Sequence, residues 1–219
     1  LHFKLRFAMK RFSLLFFIFV VMVGLQANAQ DVRLGVRGGL NFADENGESL
    51  GNDYGDETDL RTAFQVGLLA QFGLNDPFYL QTGLLLSSKG RTRDFGSVET
   101  TNSPLYLDIP VSLVFKGDLG GITAFGLVGP YFGFGIGGQF ESEDGGTRVS
   151  RDIEWGNEEG EDNYRSVDVG IDVGIGVEID PLQIGLNYGF ALTNSRPGGD
   201  DNNSRFSRVL SLYVTYFFN

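Results

Sequence analysis

The side chains best suited to chemistry in this sequence are charged residues that recur at every second position of apolar segments. The clearest case is VDVGIDVGIGVEI at residues 167–179, in which Asp168, Asp172 and Glu178 alternate with valine and isoleucine. Neighbouring carboxylates can serve as an acid and a base, as they do in glycosidases. Successive side chains of a strand point to opposite faces, however, so this spacing equally predicts carboxylates packed on one face of a sheet. We interpret the stretch as structural.

The cysteine and histidine residues that common hydrolytic mechanisms require are missing from the sequence after residue 2. There is no cysteine, and the single histidine is His2, at the extreme N-terminus. A Ser-His-Asp mechanism needs a histidine as its general base. The segment GFGIGG at residues 133–138 matches a dinucleotide-binding pattern by letter, but QFESEDGG follows where a helix should begin. The sequence therefore predicts a protein that is not an enzyme and binds no cofactor.

Two acidic segments, at residues 44–59 and 141–163, carry enough carboxylates to attract a hard cation. Neither has the ligand spacing of an EF-hand, so we predict no metal site. The second segment contains Trp155, the only tryptophan. A tryptophan in an exposed loop is suited to contact with a protein or glycan partner, and packing onto the rim of the fold is the equally weighted alternative.

The N-terminus has the features of an export signal. Lys10 and Arg11 precede the apolar run FSLLFFIFVVMVGL, and Ala27 and Ala29 then form a signal peptidase pattern. The run is shorter than the roughly 20 residues of a transmembrane helix. We predict a signal peptide over residues 1–29, with translation starting at Met9, and a single domain over residues 30–219.

The exported part is strongly acidic. Four of the 17 basic residues lie in the predicted signal peptide, which leaves 13 against 28 acidic residues. Such a surface repels nucleic-acid phosphates, so the sequence predicts no nucleic-acid partner.

Period-two alternation of apolar and polar residues recurs in eight segments between Val32 and Phe218. Short turns and long polar connections alternate between these segments. The turns are at 74–77, 117–120 and 180–181, and the long connections are at 43–61, 90–103, 141–164 and 194–205. An even number of strands with short turns at one rim and long loops at the other is typical of outer-membrane barrels. We predict an all-β fold, an eight-stranded antiparallel up-and-down transmembrane β-barrel.

The direction of the apolar rows separates a membrane barrel from a soluble one, and alternation alone does not decide it. The predicted export signal, strands long enough to cross about 25 Å of lipid, and aromatic residues near strand ends favour apolar rows that face outward. Opposite charges would then pair inside a lumen that eight strands leave narrow enough for side chains to fill. The predicted lumen network comprises Arg33, Arg37, Lys89, Asp108, Lys116, Asp168, Asp172 and Glu178.

Several segments resemble the PorT-like outer-membrane β-barrel family of Bacteroidota. The resemblance covers nearly the whole chain after the signal peptide, and it implies a small barrel of the OmpX and OmpA type. It carries over no residue with a specific activity. The segments are GVRGGLNFA, FYLQTGLLLSSKG, LYLDIPVSLVFKG, GPYFGFGIGG, VDVGIDVGIGVEI, LQIGLNYGFALTN and RVLSLYVTYFF.

Together these features predict an integral outer-membrane protein surrounded by lipid. We expect it to act as a structural or interaction scaffold, with its long acidic extracellular loops meeting a protein or glycan partner. Two alternatives remain at this level. One is a narrow channel or transport-related barrel, and the other is a soluble periplasmic β-barrel that encloses a ligand.

Overall fold

The computed structural model describes residues 32–49, 52–53, 60–94, 98–199 and 203–218. The predicted signal peptide at residues 1–29 lies outside the described residues. Within the described residues, no helix is long and apolar enough to span a membrane.

The described chain is built from β-strands and their connections. Twelve strands are present in these residues, numbered in chain order. They are β1 (Val32–Asn46), β2 (Glu48–Ser49), β3 (Asn52–Asp53), β4 (Arg61–Asn75), β5 (Phe78–Ser88), β6 (Arg91–Asp94), β7 (Val98–Asp118), β8 (Thr123–Asp144), β9 (Thr147–Asp152), β10 (Val167–Ile179), β11 (Leu182–Ala191) and β12 (Phe206–Phe218).

Eight of these strands form a closed ring in which every neighbour is antiparallel. The order runs β1, β4, β5, β7, β8, β10, β11 and β12. Pairing of β1 with β12, from Leu34 opposite Phe218 to Asn46 opposite Phe206, closes the ring. The predicted eight-stranded up-and-down barrel is therefore confirmed. Closure leaves no strand edge free within the ring itself.

The short connections lie together at one end of the barrel, called here the turn end. They join β4 to β5 at Asp76 and Pro77, β7 to β8 at residues 119–122, and β10 to β11 at Asp180 and Pro181. The opposite end is called the loop end.

Two of the long connections predicted as polar loops are largely β-structure. Beyond the ring, β6, the start of β7, the end of β8, and β9 form a four-stranded projecting sheet made of residues 91–94, 98–103, 139–144 and 147–152. The prediction of long polar loops over 90–103 and 141–164 was wrong in these parts, which are strands. Backbone pairing needs no apolar row, and beyond the lipid both faces of a sheet can be polar, so the alternation that marks the ring strands is missing here.

Glycines mark the transition from the ring to the projecting sheet. Gly90 and Gly138 have φ values of +103° and +133°, in the left-handed region that favours glycine. A Cβ on Gly90 would lie 2.2 Å from the carbonyl oxygen of Asn102, which leaves no space for a side chain. The register of β7 against β8 shifts at the same level, between Leu105 and Tyr106. Such irregularities let paired strands bend away from the ring.

The alternation of burial along the strands shows which way each row faces. In β10, Ile175 is 65% exposed, whereas Asp168 and Glu178 are buried and Asp172 is half-buried, with Asp168 only 1% exposed. The same outward apolar face continues on every ring strand. A soluble barrel with an apolar lining would have the opposite arrangement, so the alternative of a soluble periplasmic β-barrel that encloses a ligand was wrong.

Candidate functional site: the charged lumen and the loop-end mouth

Seven of the eight charged side chains predicted for the lumen lie on inward-facing strand positions, and the eighth, Lys89, directly follows β5. Arg37, Lys89, Asp108, Asp168 and Glu178 are buried, and Arg33, Lys116 and Asp172 are half-buried. They do not form one network. Most of them fall into two clusters at different heights along the barrel axis, with Arg37 and Asp172 beside a cavity between the clusters.

The turn-end cluster is centred on Glu178, which receives two cations from different strands. Arg33 of β1 donates to Glu178 at 2.5 Å and also contacts Asp180. Lys116 of β7 donates to the second oxygen of Glu178 at 2.7 Å and to Gln71 at 2.7 Å. These bonds join opposite walls of the barrel across the turn end of the lumen.

The central cluster is built around Lys89, which is almost fully buried. Its ammonium nitrogen lies 3.1 Å from Asp108 and 3.0 Å from Asp168. Tyr131 donates to the same oxygen of Asp168 at 3.1 Å, and the lysine nitrogen also lies 4.4 Å from the centre of the Tyr131 ring. Asp168 also accepts a hydrogen bond from Thr193 at 3.2 Å. Every oxygen of Asp168 therefore has a partner, which satisfies the condition for burying a charge.

A small polar cavity of about 40 Å³ lies between the two clusters. Arg37, Asp172 and Asn187 line it. Arg37 donates to Thr215 at 2.9 Å and stacks 3.6 Å from the centre of the Tyr213 ring. Asp172 makes no ion pair within 4.0 Å of a described basic residue. A cavity of this size accommodates a few water molecules and no larger solute.

A third cluster, called here the mouth cluster, closes the lumen at the loop end and was not predicted. Its centre is Glu45, which is 2% exposed and lies 3.2 Å from Arg91 and 3.7 Å from Arg205. Tyr164 donates to Glu45 at 2.8 Å, and Arg205 stacks 4.6 Å from the Tyr164 ring. Burial, reinforced by the nearby carboxylate, raises the pKa of the Tyr164 hydroxyl, so it remains a hydrogen-bond donor.

Sequence reasoning missed this cluster because it placed Glu45, Arg91, Tyr164 and Arg205 in long polar loops. A usable signal was present in β1, where Asn41, Ala43 and Glu45 continue the inward period of Arg37, and Glu45 does so beyond Phe42, the last large apolar residue of the outward row. Only the register shows that the pairing of β1 continues to Asn46.

Trp155 packs at the mouth of the barrel. Its ring lies 5.1 Å from Tyr106 in an edge-on arrangement and 5.8 Å from Tyr164. It covers Gly135, where a Cβ would come within 2.1 Å of the indole. Of the two alternatives for this residue, the structure corresponds to packing onto the rim.

The described acidic residues do not converge into a cation site. No group of three or more histidine, cysteine, aspartate or glutamate side chains in the described residues is arranged to hold a metal ion.

Comparison with known proteins identifies the family of this chain. The family profile described as "Outer membrane protein beta-barrel domain" matches residues 26–196. The chain belongs to this family. As a member, it is an outer-membrane β-barrel protein, and its closed ring and outward apolar rows accord with that location.

The barrel is also similar in fold to solved bacterial outer-membrane proteins. The attachment invasion locus protein Ail of Yersinia pestis is 12% identical with a TM-score of 0.40, and Neisserial surface protein A is 11% identical with a TM-score of 0.46. A major outer membrane protein from Thermus thermophilus is 12% identical with a TM-score of 0.42. Each similarity covers 86% of this chain and 100% of the other. No curated protein matched the sequence.

Proposed function

We propose that this protein is an outer-membrane interaction scaffold that binds an extracellular protein partner through the edge of its projecting sheet. The observation that carries the proposal is the free edge of β9. Among the described residues β9 pairs with β8 on one side only, and all six of its residues are exposed. A free edge strand is a template for a strand from another chain.

The filled lumen supports a scaffold over the alternative of a narrow channel. Side chains from facing strands meet at the Glu178 and Lys89 clusters, and Glu45 joins Arg91 and Arg205 above them. The cavity between the first two clusters is about 40 Å³. Conduction would require these buried ion pairs to open, so we expect no conductance steps from the protein in planar bilayers.

The hydrogen-bond pattern identifies the groups that an added strand would use. Just beyond β9, the Ile153 N–H donates to the Gly138 carbonyl of β8 at 3.0 Å. In an antiparallel pair the N–H groups of successive residues point to opposite sides. Counting back from Ile153, the N–H of Ser150 points away from β8 toward the free edge.

Ser150→Pro tests the proposal because proline removes this N–H while the bonds between β8 and β9 are retained. A photo-crosslinker at Arg148 should capture a defined partner in intact cells. Ser150→Pro should abolish that crosslink, and Ser150→Ala, which keeps the N–H, should leave it unchanged. The heat-dependent gel shift of a folded barrel would verify that both variants assemble. Equal capture by both folded variants would contradict edge binding.

A further inference from the structure

We infer that the concave face of the projecting sheet is a binding site for a phosphate- or sulfate-bearing saccharide. A cavity of about 390 Å³ opens there, between the sheet and the mouth cluster. This is within the range of small-molecule sites. Four arginines line the cavity, Arg91, Arg93, Arg151 and Arg205, in a chain whose charge is strongly negative.

Strand register explains why the arginines gather on this face. Arg91 is opposite Asn102, Asn102 is opposite Phe140, and Phe140 is opposite Arg151, so these residues form one row across the sheet; Arg93, opposite Thr100, lies in the next row on the same face. Directly opposed residues of paired strands point to the same face. The row continues the inward face of the ring, and with neighbouring strands about 4.8 Å apart it spans the width of the cavity.

The same alternation places acidic side chains on the other face of the sheet. Glu99 is opposite Glu143, one residue out of phase with the arginine row. Arg148, which follows this acidic phase, pairs with Glu143 at 3.0 Å and is fully outside the cavity lining. Among the described residues the cavity lining contains no carboxylate. The part of this face that lines the cavity is therefore basic although the protein as a whole is acidic.

Aromatic rings orient two of the guanidinium groups. Arg151 stacks 4.4 Å from the centre of the Phe140 ring, and Arg205 stacks 4.6 Å from that of Tyr164. Stacking covers the flat face of the Arg151 guanidinium and leaves its N–H donors at the edge, where they can bind phosphate or sulfate oxygens in pairs, whereas Arg205 already donates to the Asn163 carbonyl at 3.2 Å and lies 3.7 Å from Glu45.

Neutral polar groups beside the arginines favour a saccharide as the carrier of the anionic groups. Thr100, Asn102 and Asn163 line the same cavity. Hydroxyl and amide groups of this kind both donate and accept hydrogen bonds, as sugar hydroxyls require. The inference goes beyond the proposed function, because it uses the face of the sheet and is independent of strand addition at the edge.

The test is calorimetric titration of the full-length folded protein in an uncharged detergent with glucose 1,6-bisphosphate, with glucose as the neutral comparison. The wild-type protein should bind the bisphosphate and not glucose, and added salt should weaken binding. The double variant Arg93→Gln/Arg151→Gln should bind at least about tenfold more weakly, because charge-assisted bonds to the ligand are lost. Arg148→Gln, on the opposite face, is the matched control and should bind as the wild type does.

Three results would overturn the inference. They are no binding of bisphosphate by the folded wild-type protein, equal binding of glucose, and equal loss of binding in Arg148→Gln and the double variant. The gel shift of each variant establishes that it is folded before titration.

Reconstitution distinguishes the two sources of such a ligand. Bisphosphate binding would be measured in nanodiscs that contain lipid A with its phosphates, and again with dephosphorylated lipid A. If glucose 1,6-bisphosphate binds more weakly in nanodiscs with phosphorylated lipid A than in those with dephosphorylated lipid A, the lipid headgroup competes for the cavity and is its occupant. Equal binding in both would identify a soluble saccharide, and either result supports the site.

Discussion

Removal of the buried lysine at the centre of the lumen should destabilise the barrel strongly. Lys89 lies 3.1 Å from Asp108 and 3.0 Å from Asp168. At an effective dielectric constant of about 20, one such contact corresponds to roughly 5 kcal/mol of Coulomb energy. The desolvation of the three ions offsets much of this attraction. Lys89→Met leaves two carboxylates without their cation, and we expect the free energy of unfolding to fall by about 3–5 kcal/mol.

The measurement is urea-induced unfolding of the protein reconstituted in lipid vesicles. Trp155 is the only tryptophan, so its fluorescence reports the loop-end mouth without interference from other indoles. Gel mobility of unboiled samples reports closure of the ring independently. Coincident transitions from the two probes would justify a two-state free energy.

A triple variant separates loss of charge balance from loss of packing. Lys89→Met/Asp108→Asn/Asp168→Asn removes all three charges with little change in volume, and it should recover most of the stability. If Lys89→Met alone lay within about 1 kcal/mol of the wild type, or if the triple variant were less stable than the single one, the charge argument would be refuted.

Two further predictions concern the outer face and the mouth. Leu186→Arg, at a 43% exposed position in the middle of β11, should lower the free energy of unfolding in vesicles by about 2–4 kcal/mol. Leu119→Arg, 71% exposed in a turn-end connection, should lower it by about 0–1 kcal/mol. Similar losses for both variants would contradict contact of Leu186 with lipid. Gly135→Val should displace Trp155, since a Cβ there would lie 2.1 Å from the indole, and should shift its emission toward that of exposed tryptophan. Gly137→Val, where a Cβ meets nothing within 4 Å, is the matched control, and an unchanged spectrum in Gly135→Val would refute the packing.

Much of the lumen could be anticipated from single strands. Arg33, Arg37 and Asp168 occupy the polar phase of clearly alternating segments, and each faces inward. Their partners could not be anticipated, because Arg33 and Glu178 are 145 positions apart and meet only when the ring closes. Asp172 illustrates the difference, since it shares the phase of Asp168 and yet forms no close ion pair with a described residue.

The loop end was predicted poorly for a related reason. The segment VETTNS at residues 98–103 lacks an apolar row, so nothing in its pattern distinguishes a strand from a loop. It is a strand because β8 continues beside it to Asp144, and backbone hydrogen bonds need no particular side chain.

The sequence by itself determined the number of ring strands, their antiparallel order and the division into apolar and polar rows, because period-two alternation and turn residues are local properties of the chain. Tertiary structure alone decided which charges meet in the lumen, that Glu45 joins Arg91 and Arg205 at the mouth, and that four arginines line one cavity. Those contacts depend on the register between distant strands. Register is set by ring closure and by the shift near Tyr106, both of which lie beyond the reach of any local pattern.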